Sequence, residues 1–148
     1  MGIEWVEYGL AGLFLGSFLS ATILPLPSEA MLIGTLALGF SPVPVLLVAT
    51  TGNFLGGLTN YWIGFKANNQ RVLRRFNINE EKIHSWEKRS SKWGYWLGLL
   101  SWLPFLGDPM VIVLGFLKVR FWPLSLMMLI GKFLRYLFLV LFYLGFWT

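Results

Sequence analysis

Long hydrophobic runs make up most of this chain, and short stretches with proline or charge interrupt them. Residues 5–24 form an apolar run that ends at PLPSE, and residues 30–40 form a second run that ends at SPVP. Residues 45–65 are again largely apolar. A membrane-spanning helix needs roughly 20 apolar residues, whereas a run of about 10–14 favours a re-entrant segment. The pattern therefore predicts that 45–65 crosses a membrane and that 30–40 enters one without crossing.

The polar stretch 66–92 separates this pattern from a second copy of it. Residues 93–107 are apolar, Asp108 and a proline interrupt them, and residues 110–117 are apolar again. After the polar turn KVRFWP, the run 124–147 is long enough to span. Similarity at a fixed distance indicates an internal repeat, and paired interrupted segments are typical of transporters with broken helices.

Composition also indicates an integral membrane protein. The chain is 56% hydrophobic and 13% charged, whereas a typical soluble domain is about 25% charged. It has no cysteine, which excludes disulfides, thiol redox chemistry and Cys-based metal sites. No nucleophile–base arrangement or metal site is recognisable, so we expect neither an enzyme nor a cofactor.

Charge decides between a spanning and a re-entrant second segment. Residues 66–92 hold eight bases and three acids, so they carry +5, the net charge of the whole chain. The positive-inside rule places this loop in the cytoplasm. A single helix over 93–117 would put Lys118 and Arg120 outside, against that rule. A hairpin that enters and returns keeps both bases in the cytoplasm and leaves both termini non-cytoplasmic.

We therefore predict an all-α integral membrane protein in which a re-entrant helical hairpin plus a transmembrane helix occurs twice, as an inverted repeat. One membrane domain covers 1–148: repeat one is 5–65, the cytoplasmic basic loop is 66–92, and repeat two is 93–148. Irregular backbone at the hairpin tips must be buried in protein or line a wet cavity. The predicted tip residues are Pro25, Pro27, Pro104 and Pro109.

The basic loop predicts a short interfacial helix rather than a nucleic-acid site, because the loop is tethered to a bilayer. Asn77 or Asn79 would cap this helix, Ile83 and Trp86 would form its apolar face, and its bases would lie near anionic headgroups. The single histidine, His84, is expected to be a solvated loop residue. No nucleic acid is expected as a partner.

Charged residues inside the apolar segments are the candidate chemistry, because intramembrane ionisable groups by default mark a functional pathway. They are Glu29, Asp108, Lys132 and Arg135. Asp108 followed by Pro109 is the pattern of an N-cap and first helical residue, and Ser28 or Glu29 could cap the segment that starts near residue 30. Both short helices would then direct positive dipole ends, which bind anions, into the membrane.

These groups could together hold a phosphate. Arg135 lies roughly 16 Å into the last apolar run, near mid-membrane, and Lys132 lies on the same helix face. Glu29 and Asp108 could carry a proton or cation, or release the phosphate by competing for the bases. The four charges balance, so salt bridges that only stabilise the fold are an alternative. The candidate substrate-binding residues are Glu29, Asp108, Lys132, Arg135, Ser28, Asn53, Asn60 and Tyr136.

Small residues recur every four positions in the first spanning segment, which permits close helix contact. They are Gly52, Gly56, Asn60 and Gly64. Packing alone would explain this stripe. Asn53 and Asn60 could in addition hydrogen-bond to the hairpin backbone, which needs partners inside a membrane.

Four motifs resemble the DedA family, also called the VTT-domain family, and in particular its short YqaA-like branch. They are SFLSATILPLPSEAMLIG, GNFLGGLTNYWIG, KWGYWLGLLSWLPFLGDP with GFLKVRFWP, and IGKFLRY, and the resemblance covers about residues 10–140. It implies a bacterial inner-membrane protein with two re-entrant hairpins that moves lipids such as undecaprenyl phosphate or phosphatidylethanolamine, often with a proton or sodium dependence. Glu29 matches the acid of the family's first hairpin, and Gly52, Gly56, Tyr61 and Gly64 match its helix motif.

The chain departs from the larger family at its charged positions. Gly57 and Phe65 stand where the family commonly has Asp and Arg, and Ser101 and Gly107 stand where it has arginines around Pro104. By inference Lys132 and Arg135 replace those arginines. The leading interpretation is a flippase or scramblase for a phosphate-containing lipid. A small ion-coupled solute transporter and a membrane assembly factor are the alternatives, and a homo-oligomer is left open.

Overall fold

The computed structural model describes residues 2–22, 24 and 26–147, so the predicted tip residue Pro25 lies outside the described residues. Helices account for 83% of these described residues, and no strand occurs among them, which confirms the all-α class. The elements are α1 Ile3–Ser20, α2 Ser28–Ala37, α3 Pro42–Ala67, α4 Gln70–Arg75, α5 Glu80–Trp93, a 3₁₀ helix Gly94–Trp102, α6 Gly107–Phe116 and α7 Phe121–Trp147.

In the part of the chain that the structure describes, two helices, α3 and α7, are long and apolar enough to cross a membrane. They have 26 and 27 residues and begin three residues earlier than the apolar runs predict. The reason is proline: Pro42, Pro44 and Pro123 lie in the first turns, where a backbone N–H has no acceptor within the helix and proline is tolerated. The prolines that seemed to interrupt the apolar pattern therefore open the helices.

The short apolar helices α2 and α6 have 10 residues each, about half the length that a crossing requires. Their predicted caps are wrong. Pro27 precedes α2 and Ser28 is its first residue. Leu106 precedes α6, so Asp108 and Pro109 are its second and third residues. Each helix begins earlier than expected: α2 begins directly after Pro27, and α6 has Pro109 in its first turn, where proline is tolerated.

The first apolar segment of the second half is a nine-residue 3₁₀ helix. Such runs rarely exceed about three or four residues. Glycine permits this one to pack closely, since a Cβ at Gly98 would lie 2.8 Å from Leu124 Cδ1. The break that follows contains Phe105 at φ 67°, a left-handed conformation that is unusual for an aromatic residue.

One compact unit comprises Met1–Gly57 and Lys132–Thr148. In it, α1 and α2 run antiparallel, because Gly16 packs against Met31 and Gly9 against the Phe40 ring. Carbonyl oxygens of α1 pack directly on Gly52 and Gly56 of α3. The core of the unit is Leu13, Leu32, Leu36, Val45, Leu46, Ala49, Tyr136 and Val140.

The second compact unit is Leu58–Gly131. A Cβ at Gly64 would overlap the carbonyl oxygen of Ile112 in α6, and one at Gly115 would overlap that of Tyr61. Tyr61 also donates a hydrogen bond of 2.7 Å to the carbonyl oxygen of Val119. The small-residue stripe of α3 thus permits close helix contact in both units, as predicted.

The polar loop folds into α4 and α5. Asn79 caps α5 by accepting from the Glu81 N–H, as one of the two predicted caps, and Asn77 is a turn residue at φ 53°. In the predicted apolar face, Ile83 is half-buried and Trp86 is 61% exposed, and the contact of this face with a bilayer stays a prediction. His84 is exposed as predicted, but it lies on a helix rather than in a loop.

Candidate functional site

An ion pair joins the start of α2 to the middle of α7. The guanidinium of Arg135 contacts the carboxylate of Glu29, with the side chains 12% and 35% exposed, respectively. Glu29 is the second residue of α2, where the positive end of the helix dipole favours a carboxylate. The pair is therefore well stabilised, yet its acidic partner still reaches the surface.

A buried hydroxyl pair lies beside this ion pair. Tyr136 donates a 2.9 Å hydrogen bond to Ser28 Oγ, and Ser28 donates a longer one of 3.4 Å to Glu29 Oε2. Both Ser28 and Tyr136 are buried. Because adjacent residues of α7 bind adjacent residues of α2, the position of the Glu29 carboxylate is fixed at two points.

A second polar cluster surrounds Lys132, one helical turn before Arg135. The Lys132 side chain is fully buried and its Nζ donates to Asn53 Oδ1 at 2.5 Å. The Asn53 amide donates to the carbonyl oxygen of Ser17 at 3.0 Å and to Ser20 Oγ at 3.1 Å. Asn53 therefore bonds to the backbone of α1, and its predicted role at a re-entrant hairpin stays a prediction.

The positions along α7 explain why these groups converge. Residues three and four apart lie on one helix face, so Lys132, Arg135 and Tyr136 all point into the same unit. Asn53 reaches them from α3, next to Gly52, whose missing side chain lets α1 approach closely. The structure thus brings together Glu29, Arg135, Ser28, Tyr136, Lys132 and Asn53.

Apart from Pro27, the other predicted residues that the structure describes belong to the second unit. Asp108 is partly buried and Asn60 is buried there, whereas Pro104 and Pro109 are exposed. In the first unit, Pro27 is exposed at the start of α2. The role of Asp108 and Asn60 in substrate binding stays a prediction from the sequence.

Sequence reasoning missed Ser17 and Ser20, which complete the cluster around Asn53. The Ser20 hydroxyl also donates a hydrogen bond of 2.8 Å to the carbonyl oxygen of Ser17. Serine is common in membrane helices, and only the spacing of these two residues on α1 opposite an asparagine could have indicated them. Within the described residues, no group of three or more His, Cys, Asp or Glu side chains could hold a metal ion.

This arrangement offers a cationic group with a displaceable partner. An anion that reaches Arg135 would compete with a carboxylate that is already partly open to the surface. The guanidinium suits this role, since its fixed fork of donors matches phosphate as well as carboxylate. Lys132 would keep a second positive charge one turn away, but it is buried among amide and hydroxyl groups.

Comparison of the sequence with known proteins identifies the family of the chain. Residues 26–144 match the VTT domain model. The chain is 41% identical over 128 residues to the inner membrane protein YqaA of Escherichia coli K12, covering 86% of this chain and 85% of that protein, and the figures are the same for YqaA of Shigella flexneri. A Haemophilus influenzae protein is 36% identical over 145 residues, covering 89% of this chain and 85% of that protein.

No solved structure matches the chain. The domain match covers most of the sequence, and it includes Glu29 and the motif that begins at Gly52. The chain is therefore a membrane protein of the VTT-domain family, which is also called the DedA family.

Proposed function

We propose that this protein moves a phosphate-containing lipid, a phospholipid or a polyprenyl phosphate, across the bacterial inner membrane as a flippase or scramblase. The observation that carries the proposal is the partly open ion pair between Glu29 and Arg135 at the start of a short apolar helix. The name of the Escherichia coli relative, an inner membrane protein, supports the location.

In the proposed mechanism, the lipid phosphate takes the place of the Glu29 carboxylate on Arg135. The first turn of α2 contributes backbone N–H groups that have no acceptor inside the helix. Ser28 and Tyr136 hold this turn against α7 while the phosphate is bound. Return of Glu29 to Arg135 then releases the lipid, and uptake of a proton or sodium ion by Glu29 would favour the bound state.

The proposal includes re-entrant hairpins. In the first unit, the contacts of Gly16 with Met31 and Gly9 with Phe40 support a chain that enters along α1 and returns along α2. In the second unit, a Cβ on Gly94 would lie 3.0 Å from Val119. The residue that opens the 3₁₀ helix therefore lies beside the residues that follow α6, as a hairpin requires.

The contacts of Lys118 support the proposed side of the membrane for the second hairpin. Its ammonium lies 5.9 Å from the centre of the Phe65 ring, near the end of α3 where the basic loop begins. Lys118 and the loop are then on one side, which the positive-inside rule makes cytoplasmic. We further propose that the termini are non-cytoplasmic, that the repeats are inverted, and that the protein is a transporter rather than an enzyme.

Reconstitution tests the transport proposal. Purified protein in liposomes with fluorescent phospholipids should accelerate transbilayer movement, and Arg135→Gln should reduce it about tenfold or more, since a charge-assisted bond contributes about 1.5–3 kcal/mol. Glu29→Gln should also slow transport, because release loses its competing carboxylate. Glu7→Gln is the matched control, since Glu7 is an exposed acid in α1.

The outcomes separate the three interpretations. Lipid movement that falls in both site variants but not in Glu7→Gln supports the proposal. Uptake of a small solute without lipid movement would favour an ion-coupled solute transporter instead. Folded protein that moves neither lipid nor solute, yet is needed for insertion of other membrane proteins, would favour an assembly factor.

A further inference from the structure

A stripe of alternating cationic and aromatic side chains lies on one face of α5. Its members are Lys82, Trp86, Arg89 and Trp93, which we call the α5 stripe. Their spacing of four, three and four residues keeps them on a single helix face. All four are exposed, and the two indoles are 61% and 70% exposed, although α5 is otherwise a polar helix.

The helix face next to the α5 stripe is the one that packs against the protein. Ile83, Glu87 and Ser90 are half-buried, and Gly94 just after the helix is buried. These positions follow the same helical spacing, about 90–100° around the axis from the α5 stripe. The exposed tryptophans therefore do not belong to the packed side of α5.

Hydrogen bonds from Asn68 fix the position of α5 relative to the end of α3. Asn68 is the first residue after α3, and its amide donates at 2.5 Å both to Glu87 Oε1 in the middle of α5 and to the carbonyl oxygen of Phe116 at the end of α6. Since α3 is long and apolar enough to cross a membrane, its end marks the boundary with water. The middle of α5 is held at that boundary.

Charge and residue type identify what this face fits. Residues 66–92 carry +5, and exposed Trp is the residue most typical of the headgroup region of a bilayer. Bases interleaved with aromatics on one helix face allow the rings to enter the interface while the cations meet lipid phosphates.

We propose that the α5 stripe docks on the anionic surface of the bilayer in which the protein sits. Trp86 and Trp93 insert at headgroup level, and Lys82 and Arg89 bind phosphates of acidic phospholipids. This contact is separate from the transport site and does not depend on the proposed transport function.

The absence of cysteine from the chain allows a direct depth measurement. An environment-sensitive dye is attached to Trp86→Cys and, as the off-stripe comparison, to Lys88→Cys, in full-length protein in nanodiscs. The dye at 86 should be quenched by nitroxides carried on lipid headgroups and protected from aqueous iodide, and the dye at 88 should show the reverse. Equal quenching by iodide at positions 86 and 88 would overturn the proposal. Protection of position 86 from iodide that is the same in lipid-free detergent as in nanodiscs would also overturn it.

A charge comparison then tests the lipid class. In nanodiscs of phosphatidylglycerol and phosphatidylethanolamine, headgroup nitroxides should quench the dye at position 86 more strongly than in nanodiscs of phosphatidylcholine. High salt should reverse this increase. Lys82→Gln with Arg89→Gln should lower that increase about fivefold or more, whereas Lys88→Gln with Lys92→Gln, which removes the same charge off the stripe, should leave it nearly unchanged. If both pairs have the same effect, net charge and not the α5 stripe attracts the lipid, and the assignment fails.

Discussion

Lys132 is a charged side chain buried completely within an apolar helix, and Asn53 is one of the groups that stabilise it there. Its amide oxygen accepts from the ammonium while its amide nitrogen donates to Ser17 and Ser20 on α1. One asparagine thereby connects three helices of the unit. Buried polar groups without partners cost far more inside a membrane protein than at a wet surface, so this residue should control stability.

We expect Asn53→Ala to destabilise the protein by about 1–3 kcal/mol, the usual penalty for leaving a buried polar partner unsatisfied, with a larger loss where the partner is charged. Thermal unfolding of purified protein in detergent measures the change. Thr51→Ala is the control, because the Thr51 hydroxyl is exposed and bonds only to its own helix at Leu47. Equal melting temperatures for the two variants would show that the polar cluster around Lys132 does not contribute to stability.

The residues of the ion pair could be selected from the sequence, and their hydrogen-bonding partners could not. Glu29, Lys132 and Arg135 are conspicuous because charge is rare in apolar segments. That Arg135 pairs with Glu29, and that Tyr136 binds Ser28, depends on the register between α2 and α7. Register between distant helices is set by packing of side chains, which no local pattern records.

At the scale of elements, the hydrophobic runs predicted where helices occur but not where they begin. Proline was read as an interruption before α3 and α7, whereas it occupies their first turns. The 3₁₀ conformation of Gly94–Trp102 was also outside what the pattern could predict. An apolar run indicates burial or lipid contact, and it does not distinguish a 3₁₀ helix from an α-helix, since both pair backbone groups within the segment.

Glycines on α3 and α6 set how closely these helices pack, and Gly64 is the most restrictive. We expect Gly64→Ala to destabilise the protein by about 1–3 kcal/mol, because its Cβ would overlap the Ile112 carbonyl oxygen and force the helices apart. Gly12→Ala in α1 is the matched control, since no atom lies within 4 Å of its Cβ. Melting temperatures in detergent compare them, and an unchanged Gly64→Ala would mean that the helices adjust freely.

For the molecule as a whole, the membrane topology depends more on the distribution of charge and hydrophobicity along the chain than on the structure of individual helices. Among the described residues, the two helices long enough to cross are separated by the basic α4–α5 region and by the apolar residues 93–117. Whether residues 93–117 return or cross decides which side Arg120 occupies. That single residue therefore distinguishes a hairpin from a third span in the second half of the chain.

Single cysteines in the cysteine-free chain can test this topology in spheroplasts with a membrane-impermeant maleimide. Ser41→Cys, between α2 and α3, should react in intact spheroplasts, whereas Ser85→Cys in α5 should react only after lysis, as the positive-inside rule requires. With a hairpin, Arg120→Cys should behave like Ser85→Cys, because the chain returns to the side from which it entered. Labelling of Arg120→Cys in intact spheroplasts would instead show that 93–117 crosses, and inverted repeats of re-entrant hairpins would then be excluded.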